Sequence, residues 1–434
     1  MLLNFILQGI IKQNVILKLV IIFFISLLAT SCVSSRLRTI NTQLLNMYEE
    51  EQFNTQFTGI LVVDIDTKET ILEKNSKKYF IPASTVKLFT FYAANTLLKE
   101  KIPTLNYVET KDSIYAYGTG DPTWLHPYFE DSTAVKFLAN SKKPIVLDFS
   151  NFKDTKYRPG WAWEDYQYYF SPEINPIPLY GNVVTVNELN SLEVSPNYFS
   201  SAIKRNKPKQ LREFYKNEFY IPENLKDTLQ IPFITSPELT KILLQEKLQQ
   251  KVILSKSNRS ESKKVLYGIP TDSIYKRMLY KSDNFLAEQL MLVASSNISD
   301  TLSFSITKDY ILENHLSELT QKPRWVDGSG LSRYNLFTPE SMVHVLQKLY
   351  AEVDTKRLLH LLPSWNGTGE TVLEKPFIYA KSGSMGNTYN LSGYLKTKSG
   401  KTYAFCFMNN HFRISTKEVK IQLKKTLTTI HNAY

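Results

Sequence analysis

The sequence predicts an α+β fold: an antiparallel sheet flanked by helices, with a helical subdomain and a strand-rich domain inserted into it. Three observations carry this reading. The C-terminal end holds two strand-like runs, Tyr389–Thr397 and Thr402–Asn409, joined by the turn Lys398-Ser399-Gly400-Lys401 and followed by a helix with an apolar stripe. Near the other end, Phe57–Asp64 and Thr70–Lys74 form a second hairpin around Asp66-Thr67-Lys68 and lead into an apolar helix. Between about Pro103 and Val265 short apolar runs alternate with Pro, Asn, Asp and Gly, and long helical periodicity is scarce.

At 434 residues the chain exceeds one typical domain, so two are expected. Hydrophobic residues at 43% and charged residues at 21% place it among folded proteins rather than disordered ones. The net charge of +11 permits an anionic partner, but the lysines are scattered and no basic run interleaves with aromatics, so a nucleic-acid ligand is not expected.

Lys12 and Lys18 precede the short apolar run Leu19–Ala29, and small residues lead into Cys32, the order of a secretory signal. Leu28-Ala29-Thr30-Ser31-Cys32 resembles a bacterial lipobox, which implies a lipoprotein-type signal over 1–31, lipidation of Cys32 and membrane attachment through that lipid. An uncleaved anchor and ordinary cleavage are the alternatives. Cys406, the other cysteine, lies in the apolar run Tyr403–Met408 and is expected to be a buried strand residue, which excludes a disulfide framework.

In chain order, Thr39–Gln52 suits a helix before the first hairpin. Ile81–Thr90 then places Ser84 and Lys87 three residues apart, just under one helical turn, so that both side chains share a face. Pro82 suits a helix start, where free amides favour developing negative charge. Val86, Leu88, Phe89, Phe91, Tyr92, Ala93, Ala94, Leu97 and Leu98 leave almost no polar face, the pattern of a buried helix. A lysine at its mouth loses hydration, which lowers its pKa toward that of a usable base for the serine.

Within the intervening stretch, Ser113–Tyr117, Pro144–Phe149, Val183–Val186 and Leu192–Val194 read as strands, and Leu211–Phe219 and Pro237–Gln249 as helices. Tyr157, Trp161, Trp163, Tyr166, Tyr168, Tyr169 and Phe170 cluster around Gly160. Core or domain-interface packing is the usual role of such a cluster, with a ligand-stacking platform as the alternative. Ser255–Lys264 reads as a return loop. The domain boundaries predicted are 33–102 and 266–434 for one discontinuous domain and 103–265 for the insertion.

Beyond Leu266, Ile274–Tyr280 and Phe285–Ser295 are apolar-periodic, and Ser282-Asp283-Asn284 falls in the break between them. The glycine-rich loop Val326–Ser332, a helix over Pro339–Tyr350, a loop over Leu361–Thr371 and a short strand over Tyr379–Ser382 follow. Ser415 and Glu418 form a capping box, and Val419, Leu423, Leu427 and Ile430 make the stripe of the terminal helix.

An isolated S-x-x-K is a chance pattern in a chain this rich in both residues. Here three elements stand in order: Ser84-Thr85-Val86-Lys87, Ser282-Asp283-Asn284 and Lys381-Ser382-Gly383. Ser84 suits a nucleophile and Lys87 its base. Ser282 can relay a proton to a leaving amine, Asn284 can hydrogen-bond a substrate amide, and Lys381 offers positive charge to a carboxylate. Gly383 allows close approach at a strand edge, and the amides of Ser84 and Ser384 are candidates for an oxyanion hole.

The set resembles that of penicillin-binding proteins and class A β-lactamases, whose third element is K-T-G. With Gly118-Thr119-Gly120-Asp121-Pro122-Thr123, Gly160–Asp165, Asp327–Ser332 and Gly367-Thr368-Gly369, residues 50–434 are similar to the penicillin-binding protein 4 type of D-alanyl-D-alanine carboxypeptidase/endopeptidase, serine peptidase family S13. The resemblance implies the serine β-lactamase/penicillin-binding-protein transpeptidase-like fold and a domain inserted between the first two motifs. It also implies hydrolysis of peptidoglycan stem peptides ending in D-Ala–D-Ala through an acyl-enzyme on Ser84, with β-lactams as covalent inhibitors and no cofactor. Asp165 matches a family acid that reaches toward the substrate peptide. Ser382 replaces the family's Thr but keeps the hydroxyl, and the insertion is shorter than in large members.

Two other readings use the same motifs. A class A β-lactamase needs a deacylating glutamate downstream of the second motif, and Glu188-Leu189-Asn190 lies upstream of it. A sensor that binds peptidoglycan or β-lactam without turnover would leave the motif residues intact. The six histidines show no metal-ligand spacing, so no metal is expected.

Overall fold

A computed structural model describes residues 37–131, 133–205, 210–255, 262–365 and 376–434. It opens with a helix, α1 (37–46), and a single turn, α2 (Glu51–Asn54). The one helix predicted over Thr39–Gln52 is therefore broken at 47–50. Buried Tyr48 is tied by its hydroxyl to Thr426 at 2.9 Å, and Glu49 is drawn into an ion pair with Lys74.

The hairpin β1 (Phe57–Asp64) and β2 (Thr70–Lys74) leads through a 3₁₀ turn, Ala83–Val86, into α3 (Lys87–Leu97). Next come β3 (Lys101–Glu109), β4 (Ile114–Tyr117), α4 (Thr133–Ala139), β5 (Ile145–Asp148), β6 (Val183–Asn187) and β7 (Glu193–Ser195). They are followed by β8 (Ile203–Arg205), β9 (Phe219–Ile221), β10 (Leu229–Pro232), α5 (Pro237–Leu248), β11 (Val252–Leu254) and β12 (Lys264–Pro270). The helices α6 (Thr271–Lys281), α7 (Asn284–Ser295), α8 (Phe304–Asn314), α9 (Pro339–Glu352) and α10 (Thr355–Leu361) come next. The chain ends with β13 (Ser364–Trp365), β14 (Ile378–Met385), β15 (Thr388–Lys396), β16 (Thr402–Asn410) and α11 (Thr416–Ala433).

The principal sheet has the order β13-β14-β15-β16-β1-β2 and is antiparallel throughout. Its centre joins the two ends of the chain, with Leu61 opposite Cys406 and Val63 opposite Ala404. Alternation along these strands sorts side chains between two layers. Leu61, Val63, Cys406 and Met408 face a core built with α3, α7 and α9, whereas Ile60, Val62, Phe405 and Phe407 face α1 and α11. Because both faces are covered, β16 reads as one continuous apolar run. Cys406 is fully buried there, and burial pushes its thiol up to about 12.

A separate apolar core lies wholly between Leu105 and Val252, under the five-stranded sheet β11-β5-β4-β3-β12. One prediction within this stretch fails. Leu211–Phe219 is a hairpin-like return, in which the Tyr220 amide donates to Leu211 O at 2.8 Å and the Glu213 amide to Glu218 O at 3.0 Å. Arg212, which a surface helix would have exposed, is buried, and Asn217 pins the return to Ile234 through bonds of 2.7 and 3.0 Å.

Candidate active site

Ser84 is delivered by a clamped segment. Buried Asn390 and Asn410 reach from β15 and β16 to the peptide of Ile81: Asn390 Nδ2 donates to Ile81 O at 2.9 Å, and the Ile81 amide donates to Asn410 Oδ1 at 2.7 Å. Ala83 follows with φ of 47°, a left-handed conformation uncommon outside glycine. Ser84 lies in the 3₁₀ turn, and Lys87 is the first residue of α3 proper. The sequence places the serine at the helix start. The tighter turn is the observed form, and it still brings the two side chains to one face.

Lys87 is fully buried, with Nζ 3.0 Å from Ser84 Oγ, 2.7 Å from Asn284 Oδ1 and 2.6 Å from the carbonyl of Ser329. An ammonium donates to all three. A neutral amine has two N–H bonds, and two of the three neighbours are carbonyl oxygens that can only accept. With those bonds directed to Asn284 and Ser329, the lone pair is left facing the serine hydroxyl. Burial lowers the Lys87 pKa to about 8, while the carboxylates of Asp327, Asp283 and Glu288 act to raise it.

The second motif caps two helices. Ser282 ends α6 with φ of 55° and ψ of 37°, and Asp283 caps α7 through its carboxylate, which accepts the Leu286 amide at 3.1 Å. Asn284, at the first turn of α7, also donates from Nδ2 to the carbonyl of Phe170 at 3.0 Å. The second N–H of the same amide is left for a substrate carbonyl.

The third motif lies on β14, which extends to Met385 rather than stopping at Ser382 and runs past the end of β13. Lys381 is buried, and its Nζ donates to Ser382 O at 2.6 Å. Burial first, and the neighbouring Lys87 second, hold its pKa well below the usual lysine range. A side chain at Gly383 would place its Cβ 2.8 Å from Ser84 N, so glycine is what lets this strand meet the turn that bears Ser84. Gly330 does the same from another side: its φ is 82°, and a Cβ there would fall 2.0 Å from Ala83 O.

Four residues without an assigned role in the sequence complete the arrangement. Asp327 is fully buried and accepts from Trp161 Nε1, Asn335 Nδ2 and the amides of Gly330 and Ser332, at 2.5 to 2.8 Å. It thereby shapes the loop whose Ser329 carbonyl touches Lys87. Thr90 ties the same loop to α3 through Gly328 O at 2.6 Å. Glu288, fully buried on α7, accepts the Ser329 amide at 2.8 Å and Arg158 Nε at 3.0 Å, so both its oxygens are engaged. Burial and nearby Asp327 raise its pKa, and Arg158 opposes them. The polar pair Glu288-Gln289 inside the apolar run Phe285–Ala294 was a legible sign of such a role. Arg158, 130 residues away, carried none.

Ser84, Ser282, Asn284, Ser384 and Asp165 line one cavity of about 540 Å³ with Arg333. Lys87, Lys381, Ser382 and Gly383 are not among the residues that line it; Ser384 and Met385 bring β14 to its edge. Burial raises the Asp165 carboxyl, as does neighbouring Glu164, against the pull of Arg333. Glu188 is ion-paired with Arg205 and does not line this cavity. Cys32 and Gly367-Thr368-Gly369 fall outside the described residues. Among the described residues no group of three or more His, Cys, Asp or Glu could hold a metal ion.

Comparison with known proteins adds a lineage to this geometry. A family model described as D-Ala-D-Ala carboxypeptidase 3 (S13) matches residues 40–430. D-alanyl-D-alanine carboxypeptidase DacB of Haemophilus influenzae is 24% identical over 447 residues, covering 87% of this chain and 90% of that protein. Penicillin-sensitive carboxypeptidase A of Dictyostelium discoideum is 32% identical over 129 residues, 27% of this chain and 24% of that one. The crystal structure of penicillin binding protein 4 (dacB) from Haemophilus influenzae superposes with a TM-score of 0.71 at 20% identity, over 89% of this chain and 98% of the other. A second crystal structure of that protein, in complex with a β-lactam, gives 0.62 at 19% identity, over 88% and 98%. These likenesses show the predicted transpeptidase-like fold.

Proposed function

The chain belongs to the D-Ala-D-Ala carboxypeptidase 3 (S13) family, and from that membership we propose that Ser84 hydrolyses the terminal D-Ala–D-Ala bond of peptidoglycan stem peptides through an acyl-enzyme. The observation that carries this reading is the environment of Lys87, whose two carbonyl neighbours leave its lone pair to Ser84 Oγ at 3.0 Å.

Ser84 Oγ attacks the carbonyl of the penultimate D-Ala as its proton passes to Lys87 Nζ. The tetrahedral oxyanion lies between the amides of Ser84 and Ser384, a donor pair in which each member contributes on the order of 3 kcal/mol. Collapse breaks the C–N bond, and the departing D-Ala amine takes a proton relayed through Ser282. Water then attacks the ester, returning Ser84 and releasing the shortened peptide as its carboxylate. Lys381 receives the substrate's C-terminal carboxylate. That anion favours the charged form of Lys381, against the burial and the neighbouring Lys87 that hold its pKa down. Asp165 reaches toward the peptide, with Ser382 and Gly383 along its strand side. A β-lactam is opened by the same attack and stays on Ser84 as an ester.

The segment 103–265 is the inserted domain of this reading, and cutting of the peptide crosslink is a second activity of the same site. Mass spectrometry of peptidoglycan fragments distinguishes loss of D-Ala from crosslink cleavage. The family reading puts the protein at the cell wall, and the signal-like residues 1–31 support export to the periplasm with a lipid on Cys32. Among the described residues no helix is long and apolar enough to cross a membrane. Cys32→Ala is expected to release the protein from membranes or block its maturation; retention would favour an uncleaved anchor.

The decisive test uses protein beginning after Cys32. It is expected to form a covalent adduct with a fluorescent penicillin. Ser84→Ala is expected to abolish the adduct and to lower D-Ala release by about 10⁵–10⁶. Absence of any adduct on the unmodified protein would overturn the reading.

A further inference from the structure

Beside the catalytic cavity lies a second one of about 480 Å³, and Ala162 lines both. Its walls are aromatic: Trp161, Trp163, Tyr166, Phe214 and Tyr215 among others. Three of these are far more open to water than ordinary packing leaves such rings, with Trp163 at 74% exposure, Tyr215 at 86% and Phe214 at 41%. They are nevertheless held in place. Phe214 packs edge-on against Tyr166 at 4.8 Å and against Trp163 at 6.2 Å, and Asn217 pins the hairpin that carries Phe214 and Tyr215.

The remaining lining is polar and deeply set. Arg212, 1% exposed, lies over the Tyr166 ring at 4.8 Å, and its Nε–H has no acceptor among the described residues. Glu173 is also buried, holding Thr235 through its amide and hydroxyl at 2.7 Å each. Arg158 is already compensated by Glu288 and Asp154. Glu173 is in turn paired with Lys156 at 3.0 Å, so Arg212 is the lining charge left without an ion-pair partner among the described residues. A purely apolar ligand would leave the Arg212 Nε–H without an acceptor, and a cationic one would meet a like charge. A ligand with one apolar face and several polar substituents that can accept hydrogen bonds suits both the rings and the guanidinium. A pyranose carrying hydroxyl and N-acetyl groups has that form.

We propose that this aromatic cavity is a subsite for the glycan strand of peptidoglycan, holding an N-acetylated sugar while the attached stem peptide lies in the neighbouring catalytic cavity. The proposal rests on the stem-peptide reading above, since in such a substrate the peptide's amino end is joined to the sugar and its carboxyl end reaches Ser84. Four extended residues span at most about 14 Å, which suits two cavities with a shared wall.

The test measures D-Ala release by the whole exported chain from two substrates, a free stem pentapeptide and the same pentapeptide on its N-acetylglucosaminyl-N-acetylmuramyl disaccharide. The disaccharide is expected to lower KM about tenfold, the scale of one or two good ring contacts. Trp163→Ala and, independently, Tyr215→Ala are expected to remove that advantage while leaving the free peptide's KM and the rate of penicillin acylation unchanged. Equal KM values for the two substrates, or variants that weaken both alike, would overturn the subsite. A protein that fails to acylate with penicillin at all would instead strike the parent reading.

Discussion

Burial lowers the pKa of Lys87 to about 8, and the direction of that shift sets the pH response of the chemistry. The amine is the form that can take the Ser84 proton. Lowering the pH through the folded-state value converts it to the ammonium, which then donates to Ser84 Oγ instead of accepting from it. Acylation by penicillin is therefore expected to fall about tenfold per pH unit below about 8 and to level off above it. The measurement is adduct formation against pH. A rate that is flat from pH 6 to 9 would mean that the proton goes to another group. An ordinary solvated lysine would put the same limb near 10.4, so the position of the limb, and not only its existence, reports the burial.

At the scale of elements, three pieces of backbone converge on Ser84: the turn that bears it, β14 at Gly383 and the loop at Gly330. The loop is the least forgiving. Gly330→Ala would place a Cβ 2.0 Å from Ala83 O at a φ of 82° that alanine disfavours. Strain and overpacking together are expected to destabilise the protein by about 3 kcal/mol and to slow acylation at least tenfold by displacing Ser84. Gly386→Ala, with nothing within 4 Å of the added carbon, is the matched control and is expected to be neutral in both thermal melting and acylation. The three motifs were legible because each is short and sits on a local element: a helix mouth, a helix break, a strand edge. The hairpin and helix at the end were legible for the same reason, through alternation and a capping box that the structure retains. What could not be read is what depends on long-range partners. The spacing of Leu211, Phe214, Tyr215 and Phe219 mimics a helix, yet Phe214 and Tyr215 face water because Arg212 takes the interior. The Ser329 carbonyl carries no side-chain signal at all. It touches Lys87 only because Asp327 folds its loop and Thr90 fastens it to α3.

For the whole molecule the question is how residues between the first two motifs influence a base that none of them touches. Arg158 and Asp154 lie at the start of the aromatic cluster, and they join α7 through Glu288 and the start of α8 through the Phe304 amide, at 3.0 and 2.7 Å. Glu288 in turn holds the Ser329 amide, whose own carbonyl is a Lys87 partner. This chain of contacts is electrostatic as well as mechanical, because the Glu288 charge raises the Lys87 pKa. Removing Arg158 alone leaves a buried carboxylate without its counter-charge, and Arg158→Ala is expected to cost about 3–5 kcal/mol in chemical denaturation. Glu288→Gln alone leaves the guanidinium with Asp154 as its remaining counter-charge, and it also removes negative charge near Lys87, so the acid limb of acylation is expected to move to lower pH. In the double variant, Arg158→Met with Glu288→Gln, both charges are gone. Stability is then expected to recover by 1–3 kcal/mol relative to the sum of the single changes, while the limb stays at its lower position. The two readouts separate the two roles: additive stabilities would show that the pair does not couple the Arg158 segment to α7, and an unmoved limb would show that Glu288 does not tune Lys87.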